Sequence, residues 1–349
     1  MTQFILLLTS KFMALFNKKQ AEAEAPKEVA QENILTSIAL FAGSWSQLNV
    51  FDFSMLNLRF VAFRSEEFTK LIADHEYHKG QLTGMLESLE GEHLDLDRYQ
   101  ALVPIDFSIP VPPEALWQVR NILLIIFPSD ITISRLIEFQ LFGDKLLLSS
   151  IETYPFTSTG DGMFDNYLTY YDPEVENINQ FIPVYLERCD TIPYLESTIN
   201  AYLSSYFQNF KNMEYLSLCI ALESIVDGKT ELIYRIRRNV AILISGDIDL
   251  AKQVFKNIAE IYSLRSSIVH SSTVNYEKLK EYLPYLRKVI SRIITELISL
   301  NIADLATLNT QLTFYGVEDR YKLAAGYVDY PLHLSVKAGA VAQELSKYK

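Results

Sequence analysis

Between Pro193 and Leu300 apolar residues recur at helical spacing through five segments joined by short connections. No other feature of the 349-residue chain constrains its fold as much. The segments are "PYLESTINAYLSSYFQNF", "EYLSLCIALESIVDG", "ELIYRIRRNVAILIS", "LAKQVFKNIAEIYSLRSSIVH" and "EKLKEYLPYLRKVISRIITELISL". Short connections make sequential helices antiparallel neighbours, so this region should form a compact bundle. Gly228 is expected just past a helix C-terminus, Thr230 and Asp249 at N-caps, and Pro284 at a kink or true start.

Before this region the pattern differs. From about Leu35 come short runs rich in β-branched and aromatic residues, "NLRFVAFRS", "NILLIIFPS" and "ISRLIEFQLFGDKLLLSSI", which read as strands. Gly143-Asp144 between two apolar runs signals a hairpin. "SEEFTKLIADHEYH" between the strands reads as helix. The expected architecture is an α+β domain over 35–185 followed by an all-α bundle over 190–302. A charged, Ala/Glu-rich flexible segment over 1–34 and a tail over 303–349 flank them, neither with assigned chemistry.

The net charge of −12 argues against coating nucleic acid or anionic membrane wholesale. From Asp190 to Leu300, however, thirteen Lys/Arg face twelve Asp/Glu, so the acidic excess lies elsewhere. Cys189 and Cys219 form neither a disulfide framework nor a metal-ligand spacing, which fits a reducing, cytoplasmic setting. "FILLLTSKFMALF" near the start lacks a basic leader, is interrupted by Lys11 and is too short to span a bilayer, so no membrane association is expected.

On the fourth helical segment the apolar stripe runs Val254, Ile258, Ile261, Arg265, Ile268. Arg265 thus takes a stripe position, where an unpaired guanidinium is costly and must find a carboxylate or a polar cleft. Glu223, the only charge between Tyr215 and Val226, is the candidate carboxylate; Arg235 and Arg238 on the third segment compete with Arg265 for it. His270 follows Arg265 by five residues, about 140° around an ideal helix, so the two converge only where the helix ends. A purely structural Glu223–arginine pair and a functional site are both consistent with these residues.

"LSLCIALESIVDG", "ELIYRIRRNVAILIS" and "IYSLRSSIVHSS", in that order, resemble the HEPN superfamily (higher eukaryotes and prokaryotes nucleotide-binding), most of all its Apea-like branch. The resemblance covers about Pro193 to Leu300. It implies a helical bundle with an R-x4-6-H motif, matched here by Arg265, Ser266 and His270, and an acidic position matched by Glu223. It further implies a metal-independent endoribonuclease without cofactor, working as a homodimer on RNA, in bacterial phage defence or as a stress-response toxin. His270 would be the general base, since imidazole titrates near neutral pH, Arg265 would hold the scissile phosphate, and Ser266 would orient the phosphate or the histidine. Arg235 and Arg238 would support. The alternative within the same resemblance is a non-catalytic module binding RNA, a nucleotide or a protein.

Other constellations carry less. "DHEYH" (Asp74 to His78) and "EHLDLD" (Glu92 to Asp97) hold three histidines and several acids, but no spacing matches a zinc site, and a solvated surface is expected. There is no Gly-rich phosphate loop, no nucleophile elbow at "GSWSQ" and no DNA-binding signature.

Overall fold

Strand β1 (Leu35–Ala42) is buried along nearly its whole length, as befits a strand with neighbours on both edges and cover on both faces. The computed structural model describes residues 35–44, 47–63, 65–75, 80, 99–142, 145–154, 168, 172–227, 230–245, 247–270, 275–314 and 316. All of them belong to one compact unit beginning at Leu35. With β2 (Leu58–Ala62), β3 (Gln100–Pro104), β4 (Thr132–Phe142) and β5 (Lys145–Thr153), β1 forms an antiparallel sheet of order β2-β3-β1-β4-β5. β4 and β5 are antiparallel partners with Phe142 opposite Lys145; Gly143 and Asp144, read above as a hairpin signal, lie outside the described residues.

Alternation splits the side chains of β1 between two cores. Ile38 and Leu40 meet helix α1 (Glu66–His75) through Phe68 and Ile72. Ala39 and Phe41 join a larger core containing helix α2 (Pro113–Ile126) and the helices beyond it. The run "NILLIIFPS" is therefore not a strand, as expected above, but the second half of α2. Its side chains from Ile122 to Ile126 are all inaccessible, and an apolar run buried on every side carries no periodicity that separates strand from helix. Pro113 at the first helical turn, a little over two turns upstream, is the signal that decides it.

The helical part comprises α3 (Asp172–Arg188), α4 (Pro193–Ser205), α5 (Lys211–Glu223), α6 (Leu232–Ile244), α7 (Ile248–His270), α8 (Tyr276–Leu300) and α9 (Leu305–Phe314). α8 is its axis: from Val289 to Leu300 only Arg292 escapes full burial, the mark of a helix packed on all sides. It runs unbroken through Pro284 and starts at Asn275, whose Oδ1 accepts from Lys278 N at 3.1 Å. Other ends shift from their expected places. α5 stops at Ser224, whose hydroxyl reaches the Ala221 carbonyl and Thr198, and Gly228 lies outside the described residues. α7 is capped by Asp247 rather than Asp249, its Oδ1 accepting from Leu250 N at 2.8 Å, while α6 has Glu231 rather than Thr230 at its N-cap position, with no side-chain capping bond.

Two buried polar systems fix the layers. The last carbonyls of α2 have no helical partner; Leu124 O accepts from Tyr202 Oη of α4 at 2.7 Å and Ile125 O from Ser291 Oγ of α8. Within the bundle, Glu214 of α5, 1% exposed, lies 2.8 Å from Arg287 Nη2 of α8 and 3.1 Å from Lys211 Nζ. Among the described residues no helix is long and apolar enough to cross a membrane.

Two substitutions test this packing. Tyr202→Phe strands a buried carbonyl and should cost about 1–3 kcal/mol in urea unfolding. Gly43 has φ +88°, and a Cβ there would stand 2.5 Å from the Asp130 carbonyl oxygen, so Gly43→Ala should cost more than the usual glycine replacement, about 2–4 kcal/mol.

Candidate functional site

The site is built where α5 crosses α7. Tyr215 of α5 donates to the Ile261 carbonyl at 2.9 Å, the carbonyl one helical turn before Arg265, and Tyr262 reaches the Cys219 carbonyl at 3.5 Å. These buried contacts fix the phase of α7 against α5. They set Glu223, the last helical residue of α5, opposite Arg265, whose Nη2 lies 2.8 Å from Glu223 Oε1. The contact is an ion pair by distance, but no N–H is aimed along an Oε1 lone pair, so it is less than a bidentate clamp.

The pair is not sealed. The Arg265 and Glu223 side chains remain 32% and 24% exposed and line an open cleft of about 400 Å³. Ser266 stands beside Arg265, while Leu232, Ile233 and Tyr234 from the start of α6 form the facing apolar wall. The Arg265 guanidinium carbon lies 5.9 Å from the Tyr262 ring centroid, at the outer limit of a cation–π contact. Burial, and then the neighbouring Cys219 and Glu223, push the Tyr262 phenol well above its ordinary pKa, so it stays protonated and serves as a wall. Burial likewise pushes up the thiol of Cys219, which is inaccessible and does not line the cleft.

His270 is elsewhere. α7 stays helical through His270, its last residue, and the imidazole is exposed and not among the residues lining the cleft. An unbroken helix carries it about 140° around from Arg265. Residues 271–274, where the sequence suggested a helix end, lie outside the described set.

Arg235 and Arg238 do not compete for Glu223. Arg235 Nη1 donates to the Asp227 carbonyl at 2.7 Å and Arg238 Nη2 to Thr313 Oγ1 at 3.0 Å, in a second cleft between α6 and α9. The sequence reading gave α9 no chemistry. Its only signal was Asp304 ahead of Thr307, whose N–H donates to Asp304 Oδ2 at 2.6 Å as a helix start requires. Of the acid and histidine clusters, only Asp74 and His75 are described, and no group of three metal-ligating side chains occurs among the described residues. His75 stacks on Phe107 at 4.4 Å between centroids.

Comparison with protein-family models, with curated proteins and with solved structures finds no significant match to this chain. The site rests on its own geometry.

A partly exposed pair contributes little to stability. A double-mutant cycle of Glu223→Gln and Arg265→Gln, read by urea unfolding, should return a coupling of about 1 kcal/mol or less. A coupling of 3 kcal/mol or more would mark the pair as a buried structural lock.

Proposed function

We propose that the helical part is a HEPN-type bundle that cleaves RNA without a metal, through Arg265, Ser266 and His270, as a homodimer. The observation that carries this reading is the placing of Arg265: a guanidinium on an apolar stripe, held by Glu223 yet open to a cleft with a hydroxyl beside it. A guanidinium has five N–H donors and Glu223 engages one nitrogen, so donors remain for a phosphate oxygen. The exposed imidazole of His270 takes the proton of a ribose 2′-hydroxyl. The 2′-oxygen attacks phosphorus, and the 5′-oxygen leaves and is protonated by the imidazolium. The products are a 2′,3′-cyclic phosphate and a 5′-hydroxyl. Arg265 balances the charge that builds on the phosphate oxygens.

One chain does not bring His270 to its own Arg265, so a second copy supplies it. The helices bearing the site offer apolar surface for that contact, with Val269 next to His270, and Ile220 and Met213 on α5, each about half exposed. Defence against phage or a stress-response toxin is the setting the resemblance implies.

A second reading has its own support: the Glu223–Arg265 pair and the position of His270 suit a non-catalytic module that binds RNA, a nucleotide or a protein.

Labelled RNA in EDTA separates the two. Wild type should give cyclic-phosphate ends, and His270→Ala or Arg265→Ala should each lower the rate by about a hundredfold or more. Mixing the two variants should restore part of the activity, since a mixed dimer rebuilds one composite site. Equal inertness of wild type and variants on diverse RNAs gives the binding-module reading instead.

A further inference from the structure

The cleft between α6 and α9 encloses about 310 Å³ and shares only Glu231 and Tyr234 with the Arg265 cleft. Arg235 and Arg238 sit one turn apart on α6, so both side chains rise on one face. Each uses one nitrogen, on the Asp227 carbonyl and the Thr313 hydroxyl. Among the described residues neither arginine lies within ion-pair distance of a carboxylate. Asp227 and Glu231 do line the cleft, but at its solvent-exposed rim, where water screens them.

Deeper in, two polar atoms are shut away from solvent without a hydrogen bond: Arg238 Nε, a donor, and Asn239 Oδ1, an acceptor. Asn239 is 1% exposed, and its Nδ2 is already committed to Asn309 Oδ1 at 2.7 Å. Closed to water, these two atoms are equally closed to a ligand; what the cleft presents is the two partly exposed guanidinium forks and the exposed hydroxyl-bearing side chains of Thr310 and Thr313.

We infer that this cleft binds a phosphate ester, its oxyanion held by Arg235 and Arg238. Two planar forks and a hydroxyl suit a tetrahedral, multiply charged group better than a lone carboxylate, which one fork satisfies. The volume is at the small end of ligand sites and fits a phosphate with a sugar-sized appendage. Two sources offer that chemistry, a nucleic-acid strand running on from the Arg265 cleft past Tyr234, and a free phosphorylated small molecule. The inference does not depend on any cleavage at His270.

The probe is inorganic phosphate, titrated into the full chain at constant ionic strength with melting temperature as readout. Wild type should show a saturable rise. Arg238→Gln and Arg235→Gln should need at least about tenfold more phosphate, while Lys252→Gln, which removes an exposed cation outside both clefts, keeps the wild-type curve. Circular dichroism confirms that each variant is folded, and two independent arginine variants guard against one failing to fold. The absence of a saturable rise in wild type, a wild-type curve in both Arg235→Gln and Arg238→Gln, or equal weakening by Lys252→Gln overturns the assignment. A decauridylate, titrated into the His270→Ala chain, then identifies the source. Weaker binding on adding Arg238→Gln, with competition by phosphate, assigns the group to a strand. Unchanged oligonucleotide binding alongside lost phosphate binding assigns it to a free small molecule.

Discussion

Helix α2 is the element on which the rest of the architecture depends. From Leu116 to Ile126 only Trp117, Gln118 and Asn121 keep partial exposure, because the sheet covers one side and α4 and α8 the other. A helix buried so fully gains its stability from apolar burial, but its C-terminal carbonyls then lose water as a partner. Tyr202 and Ser291 supply the missing donors from the bundle. α2, packed on the sheet through the apolar core, is thereby joined to the bundle by directional bonds as well. Arg120 on the same helix shows the other side of this burial. It is 3% exposed, lies over the Phe207 and Trp117 rings at 4.8 and 5.6 Å, and is held by burial at a pKa of about 10, below its ordinary value.

The two clefts exist because α6 begins abruptly. Glu231 adopts φ +54°, a left-handed conformation that costs a non-glycine residue of order 1–3 kcal/mol. Its carbonyl accepts from Arg235 N at 3.0 Å, so the strained residue opens the helix ladder directly. From there Ile233 and Tyr234 project outward, half exposed, and Tyr234 becomes the partition between the Arg265 cleft and the Arg235/Arg238 cleft. A glycine would adopt this conformation without strain. A glutamate here keeps a carboxylate on the rim of both clefts.

Much of this was legible in the sequence where a local rule and a tertiary demand agree. The five helical segments are present because their apolar spacing is also their packing face. The Glu223–Arg265 pair was legible because a single charge on an apolar helix has to be answered by something. Which arginine answers it was not legible, since Arg235 and Arg265 are equally plausible until the phase of α7 against α5 is known. That phase is set by Tyr215 and Tyr262 reaching backbone carbonyls, an interaction with no sequence signature. The strand reading of "NILLIIFPS" failed for the opposite reason, because a segment buried all round discards the periodicity that would identify it. The polar cleft was missed because α9 looks weak alone and acquires its role only by lying against α6.

The separation of Arg265 from His270 follows from helix geometry alone. Five residues of unbroken α-helix place them about 7.5 Å apart along the axis and about 140° apart around it. Arg265 is turned toward α5 by its pairing with Glu223, so His270 is necessarily turned away from that helix. Groups so disposed cannot converge on one phosphate within a single chain unless the helix gives way at its end. In the proposed homodimer, a two-fold axis beside α7 would remove the conflict, setting the exposed end of one helix against the cleft of the other. The proposed nuclease site thus requires a second chain as a matter of geometry, whereas the phosphate cleft between α6 and α9 is complete in one.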